Sequence, residues 1–505
     1  MLDMATRAGT QPEDKSVDVL IIGTGFGGIA MAIKLSEAGF SDILLIEKGS
    51  DVGGTWRDNI YPGCACDVPS HLYSLSFAQN GAWSRMYPQQ PELLAYIREV
   101  TDSYALRPKI RFNTTMTEAV WDEPAGRWQV TTSTGSICAR VLVSAAGGLH
   151  IPAYPALAGL SRFAGKSFHS ARWDHDYDLT AKRVAVIGTG ASAIQFVPQI
   201  AGKVARLDVY QRTPPWILPK PDRVFTGVEQ KLLKLAAYRA VFRKYLFYIH
   251  ELRVLAFMGN KQAQRIASNI ARNNLAAQIP DPVLRAKLTP DYTIGCKRVM
   301  ISNDFYPALA RPNVTLITDP ISDIRETSII DQTGIARETD VIIFGTGFEV
   351  TTSFRHTRLI GRGGQSLADL WHETGMRALH GIAISGFPNY FMLLGPHTAL
   401  GHNSVVIMIE AQVGYIVDTL RQMRKRGIGA VDVRAESQAK FIAKLETRLA
   451  GTVWQDGGCD SWYKDRHGKV TTIWPGAAGA YQRSVNRADL RDYDFLTTHA
   501  AQVTT

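Results

Sequence analysis

The chain has 505 residues, 45% of them hydrophobic and 20% charged, a balance that excludes disorder, collagen and coiled coil as its main state. At roughly 150 residues per domain, the length allows about three domains, or two with an insertion. The 56 basic and 46 acidic residues leave a net charge of +10, which admits nucleic acid, a membrane surface or anionic small molecules as partners.

Residues 1–16 are polar and lack the apolar core of a signal peptide. No run of 18 apolar residues occurs, so no transmembrane segment is expected. Cysteines stand at 64, 66, 138, 296 and 459. So few, and odd in number, they point to a reducing, cytoplasmic location and to no disulfide framework.

Residues 17–22 read as a buried parallel strand. Gly23-Thr24-Gly25-Phe26-Gly27-Gly28 follows, then an apolar helical pattern, then a second strand over 42–47 ending in Glu47. These are the parts of a dinucleotide-binding unit. Gly23 makes the turn, Gly25 admits a pyrophosphate to the backbone, Gly28 permits helix–strand packing, and Glu47 takes ribose hydroxyls. Residues 183–187 start a second unit, with Gly188-Thr189-Gly190-Ala191-Ser192-Ala193 as its turn and Ala193 in the third-glycine place. Gly23 to Glu47 is 24 residues, and so is Gly188 to Arg212. The acid of the first unit is therefore an arginine in the second. A carboxylate repels a 2′-phosphate and a guanidinium grips it, so the first site suits FAD or NAD and the second NADP(H). The competing reading of Arg212 is a solvated strand end. Two dinucleotides in one chain imply electron transfer from nicotinamide to flavin. Strands over 141–148 and 339–348, each running into glycines, mark the crossings between the two units. A disulfide reductase would need a reactive cysteine pair beside the flavin; Cys64 and Cys66, with only Ala65 between them, are a poor candidate.

Phe163, Gly165, His169, Trp173 and Asp174 fit F-x-G-x-x-x-H-x-x-x-W-(P/D), and Gly54, Trp56, Tyr61, Pro62, Gly63 and Asp67 fit a second pattern, G-x-W-x-x-x-x-(F/Y)-P-G-x-x-x-D. With these motifs the chain resembles the type I Baeyer–Villiger monooxygenases, over nearly its whole length. Residues 295–298 with 303–307, 386–404 and 461–463 resemble further segments of that family. His397, Ala399 and Gly345 depart from it.

The resemblance implies an α/β fold with two Rossmann-like domains. FAD falls to 1–150 with 351–505, NADP to 151–219 with 293–350, and 220–292 forms a helical insertion of two or three helices. It implies an NADPH- and O2-dependent flavoprotein that converts a ketone to an ester or lactone through a flavin C4a-peroxide. Oxidation of sulfur or nitrogen by a related flavin monooxygenase is the alternative, and a non-catalytic redox sensor is a third. Arg298 is the expected catalytic cation and Asp67 its positioning partner beside the flavin. Thr55, Trp56 and Tyr73 fall in the FAD site; for Trp56 and Tyr73 plain core packing competes. Arg212, Thr213 and Lys297 fall at the NADP 2′-phosphate, and Trp462 is a lid over NADP or simply a half-buried loop aromatic. His169 and Trp173, with the rest of the first signature, are expected at a hinge rather than in proton transfer. No metal site is expected.

Residues 221–300 hold 14 Lys and Arg against 5 Asp and Glu, nearly the whole net charge. Solvated helix faces are the favoured account of this region, and a peripheral contact with anionic lipid the lesser one. Nucleic acid has no motif behind it, and the oligomeric state is open between monomer and homodimer.

Overall fold

The structure, a computed structural model, describes residues 15–496; nearly all of the polar start, residues 1–14, lies outside them. Two sheets organise the chain. The first is built on Lys15–Ile22, whose inner residues are buried on both faces, as a strand between helical layers must be. It pairs in parallel with Ile43–Ile46 on one side and Gly135–Ser144 on the other. Beyond Gly135–Ser144 the sheet turns antiparallel through Arg127–Thr132 and Met116–Asp122. Two late strands, Arg358–Ile360 and Tyr390–Met392, return to it. The second sheet is wholly parallel, in the order Val314–Ile317, Arg206–Tyr210, Arg183–Ile187, Val341–Phe344, Lys166–His169.

The chain passes between the sheets twice, and the two crossings are tied together. Ala153 N donates to Gly347 O at 2.9 Å, Glu349 N to Ile151 O at 3.0 Å, and Thr346 Oγ1 to Ala153 O at 2.6 Å. This double strap fixes how the two nucleotide loops face each other.

Between the second sheet's strands lie helices Gly227–Leu233, Ala236–Leu252, Val254–Phe257, Lys261–Gln278 and Pro282–Lys287. The proline-free stretch 228–277 thus holds four helical pieces rather than two or three. One break falls at Leu235, whose backbone is extended. On Ala236–Leu252, Lys244 is exposed, as expected of a solvated charged face, while Arg243 is turned inward, onto the carbonyls of His71 and Ser74. No helix among the described residues is long and apolar enough to cross a membrane.

Candidate active site

The first glycine loop is shaped as a cradle. Gly23 has φ +101°, and a Cβ there would lie 2.8 Å from Ala145 O. A Cβ at Gly28 would lie 1.9 Å from Gly23 O, so only glycine lets helix Phe26–Glu37 start this close to its strand. Gly25 caps that helix without any side-chain bond, and a Cβ on it would meet the Gly54 Cα at 3.8 Å; the N–H groups of the helix start are left bare for an anion. The backbone of Gly54, from the second motif, closes on Gly25. Thr55 starts the short helix Thr55–Asp58. Trp56 is buried, its indole N–H has no partner, and its ring meets Tyr73 edge-on at 5.7 Å. Tyr73 in turn packs on Phe26 at 5.2 Å. A bare helix start, an orphaned indole N–H and a cradle that a Cβ would fill together fit a flavin dinucleotide.

Glu47, expected at the ribose, is engaged by its own surroundings. It is buried, and its carboxylate accepts from Thr24 N (3.1 Å), Thr24 Oγ1 (2.8 Å) and Gly49 N (2.8 Å), and pairs with Arg57 at 2.8 Å. Those four donors fill about the four acceptor positions a carboxylate has. In this geometry Glu47 ties the loop to the segment after the second strand. Thr24 and Arg57, which hold it, carried no motif signal.

The second loop repeats the first. Gly188 has φ +101°, and Ala193 opens helix Ala193–Ile200. Ala191 and Ser192 lie between, with Ser192 as an uncapped helix start and Thr189 buried behind. The departure at Gly345 has a physical counterpart here. A Cβ at Gly345 would lie 3.1 Å from the Ala193 Cβ, so the methyl of Ala193 takes up the space that the glycine leaves. Arg212, Thr213 and Lys297 line one cleft of about 630 Å³, together with Cys459 and Asp460. Neither Arg212 nor Lys297 makes an ion pair among the described residues, and burial together with the Arg212 charge lowers the Lys297 pKa. Two cations converging on one cleft, neither ion-paired with the Asp291 and Asp460 that also line it, fit a phosphate dianion.

The next residue faces the other way. Arg298 donates through Nε (3.1 Å) and Nη2 (2.5 Å) to Asp67 Oδ2, while Nη1 makes no bond to protein. The side chains are 35% and 28% exposed, so the pair borders the space between the two loops. The Asp67 carboxylate holds the Arg298 guanidinium protonated well above its ordinary range. Burial pushes the Asp67 carboxyl up, but the Arg298 charge outweighs it and leaves it below the usual value. Tyr463 is fully buried nearby; burial pushes its phenol up to about 12, against the pull of Arg298. Trp462, expected as the lid, is 38% exposed and its ring packs on Tyr463 at 4.4 Å. Tyr463 is therefore the inward residue of that loop.

Sequence reading expected no disulfide, and the structure corrects it. Cys296 and Cys459 are bonded, with Cα atoms 6.1 Å apart across 163 residues of chain. No local spacing could signal a pair that only the fold brings together. The bond pins the 457–463 segment to the residues just before Lys297. Cys64 and Cys66 are free and buried, and burial pushes the Cys64 thiol up to about 12.

The two signature motifs meet at one interface. Tyr61 donates to Gln195 Oε1 (2.9 Å), Gln195 Nε2 donates to Ala65 O (3.0 Å), and Gly63 leaves room for Gln195 O. Trp173 packs on Phe196 at 5.2 Å, on the same helix. His169 is buried against both crossings, with Tyr154 at 5.4 Å and Phe348 at 5.9 Å. Burial lowers its pKa to about 4, which keeps it neutral. Gly165 fits beneath the ring of Phe163, and Asp174 pairs with Lys166 at 2.6 Å.

The family described as pyridine nucleotide-disulphide oxidoreductase matches residues 20–235, the stretch holding both glycine loops. A "Baeyer-Villiger monooxygenase" of Streptomyces coelicolor is 46% identical over 489 residues, covering 96% of this chain and 94% of that one. The chain belongs to the Baeyer–Villiger monooxygenases. Among solved structures similar to this member of the family is an oxidized steroid monooxygenase bound to NADP. It is 32% identical at a TM-score of 0.85, with 95% of this chain and 100% of that one covered. Another is OTEMO in complex with FAD and NADP, 28% identical at a TM-score of 0.84, over 93% of this chain and 97% of that one.

Proposed function

We propose that this Baeyer–Villiger monooxygenase binds FAD at the first loop and NADPH at the second, and inserts one oxygen atom beside a ketone carbonyl. Ketone, O2, NADPH and a proton give ester or lactone, water and NADP+. The observation that carries this reading is the Arg298–Asp67 pair, which joins a flavin-side loop to the loop that also presents Lys297 to the NADP cleft.

When bound, the flavin supplies the reduction of O2 and the oxygen transfer, using hydride from NADPH. The chain supplies the rest. Arg298 keeps a fixed positive charge and a free Nη1 donor where negative charge collects on oxygen, and Asp67 holds the guanidinium plane. Trp56, with its orphaned N–H, and Tyr73, with Thr55 at the start of the short helix, wall the flavin side. Arg212, Thr213 and Lys297 hold the 2′-phosphate. His169 and Trp173, neutral and buried at the crossings and the helix interface, position the two halves. Tyr463, held by the Cys296–Cys459 bond, helps exclude water above Arg298.

The test is product analysis of purified yellow protein with NADPH under labelled O2, offering a cyclic ketone and a thioether separately. A lactone carrying one labelled oxygen is the expected product. Sulfoxide with no lactone, across cyclic, linear and aryl ketones, would place the chain with the sulfur and nitrogen oxidisers instead.

A further inference from the structure

Helix Ala236–Leu252 is apolar on two faces: Leu246, Phe242 and Phe247 pack on the core, and a second apolar row faces out. A surface helix turns its charges to water and its apolar stripe to the core. Here Arg243 points inward, 2.6 Å from His71 O, 2.9 Å from Ser74 O and 3.6 Å from the Glu410 carboxylate. Arg239 donates back to the carbonyls of Leu233 and Lys234. Glu251 accepts from Asn403 Nδ2 at 2.9 Å and from the N–H groups of Ala478 and Gly479. These bonds fix the rotation of the helix about its axis. What they leave outside is Val241, Tyr245, Tyr248 and Leu252, spaced at four, three and four so that they share one face. They are 67%, 58%, 65% and 68% exposed. Of the 21 large apolar side chains exposed among the described residues, 14 fall between Val224 and Val283.

We propose that this face docks on an anionic phospholipid surface. Lys244 on this helix, and Lys231 and Lys234 at the end of the helix Gly227–Leu233 that packs on it, are exposed and make no ion pair among the described residues. Residues 221–280 hold ten Lys and Arg and only three acids. All three acids are engaged: Asp222 with Arg85, Glu229 with Arg223, and Glu251 inward. No free carboxylate is left in that stretch to repel a lipid phosphate. A second copy of the chain on the same face would bring like charge against like charge. Three tyrosines, Tyr238, Tyr245 and Tyr248, place apolar rings with polar tips where headgroups meet acyl chains. The helix is too short and too charged to cross, so it lies in the interface plane.

The holoenzyme is sedimented with vesicles of phosphatidylglycerol and phosphatidylcholine, and with phosphatidylcholine alone, at low and high salt. Binding to the anionic vesicles is expected to exceed the neutral ones about tenfold or more and to fall with salt. The variant combining Val241→Ser, Tyr248→Ser and Leu252→Ser should lose it while keeping flavin content and turnover of a water-soluble ketone. Lys231→Glu with Lys234→Glu and Lys244→Glu should lose the anionic preference, and decides the matter if the apolar variant does not fold. No binding to anionic vesicles at low salt, or equal binding by the charge-reversed protein, overturns the proposal. A dimer at micromolar concentration that the serine variant breaks overturns it too, naming a second copy as the occupant.

Discussion

Lys297 and Arg298 are neighbours in sequence but serve different partners, because the chain bends at Lys297, just before the strand Met300–Ile301. Lys297 turns to Arg212 in the phosphate cleft and Arg298 to Asp67. Arg212→Ala should therefore raise KM for NADPH about tenfold or more while hardly changing KM for NADH, since one charge-assisted bond to the 2′-phosphate is lost; steady-state kinetics with both nucleotides checks this, and equal effects would remove Arg212 from the phosphate site. Gly28→Ala would force a methyl to within 1.9 Å of Gly23 O, so the purified variant should lose most of its flavin, read as the ratio of flavin to protein absorbance. The tight turn at Gly23 and Gly28 and the placing of Arg212 on a cleft were legible because glycine spacing and a charge swap are local signals. Glu47 was read as a ribose ligand for the same reason, and its engagement by Thr24 and Arg57 was not visible, since neither belongs to any spacing rule.

At the scale of elements, the sequence showed both strand–glycine–helix units and the crossings between them, because buried parallel strands read as continuous apolar runs. It did not show which loop covers which. The Cys296–Cys459 bond joins segments 163 residues apart, and the cysteine count that suggested a reducing compartment does not carry that reading. Nor did periodicity reveal that Ala236–Leu252 carries a second apolar row, Val241 to Leu252, that faces out, because apolar residues on two faces blur the period. The disulfide anchors the loop bearing Asp460 and Tyr463 over the phosphate cleft. Cys459→Ser, or mild reduction of the wild type, should raise KM for NADPH more than it lowers kcat, and should lower unfolding stability by about 2–4 kcal/mol. Calorimetry with and without reductant, beside the kinetics, checks both parts.

Across the whole molecule, the helical segment is pinned to the first sheet's late segments by Glu251, bonded to His402, Asn403 and the backbone of Ala478 and Gly479. Burial would raise this carboxyl, but those hydrogen bonds outweigh it and hold its pKa at about 2, below the ordinary 4.5. A carboxyl depressed in the folded state stabilises above its unfolded value and loses that contribution as pH falls through the folded one. Wild type should then exceed Glu251→Gln in stability by about 2 kcal/mol near neutrality, with the gap closing between about pH 4.5 and 2. Melting curves of the two proteins over that range measure it. The Asp67–Arg298 pair, which joins the segment after the first glycine loop to the residue next to Lys297, is the central feature of the molecule, and one measurement addresses it most directly. Arg298→Ala, supplied with NADPH, air and a cyclic ketone, should still reduce its flavin with NADPH while lactone formation falls about a thousandfold or more, in line with the loss of a preorganised charge. Lactone at near wild-type rate from that variant would contradict the account.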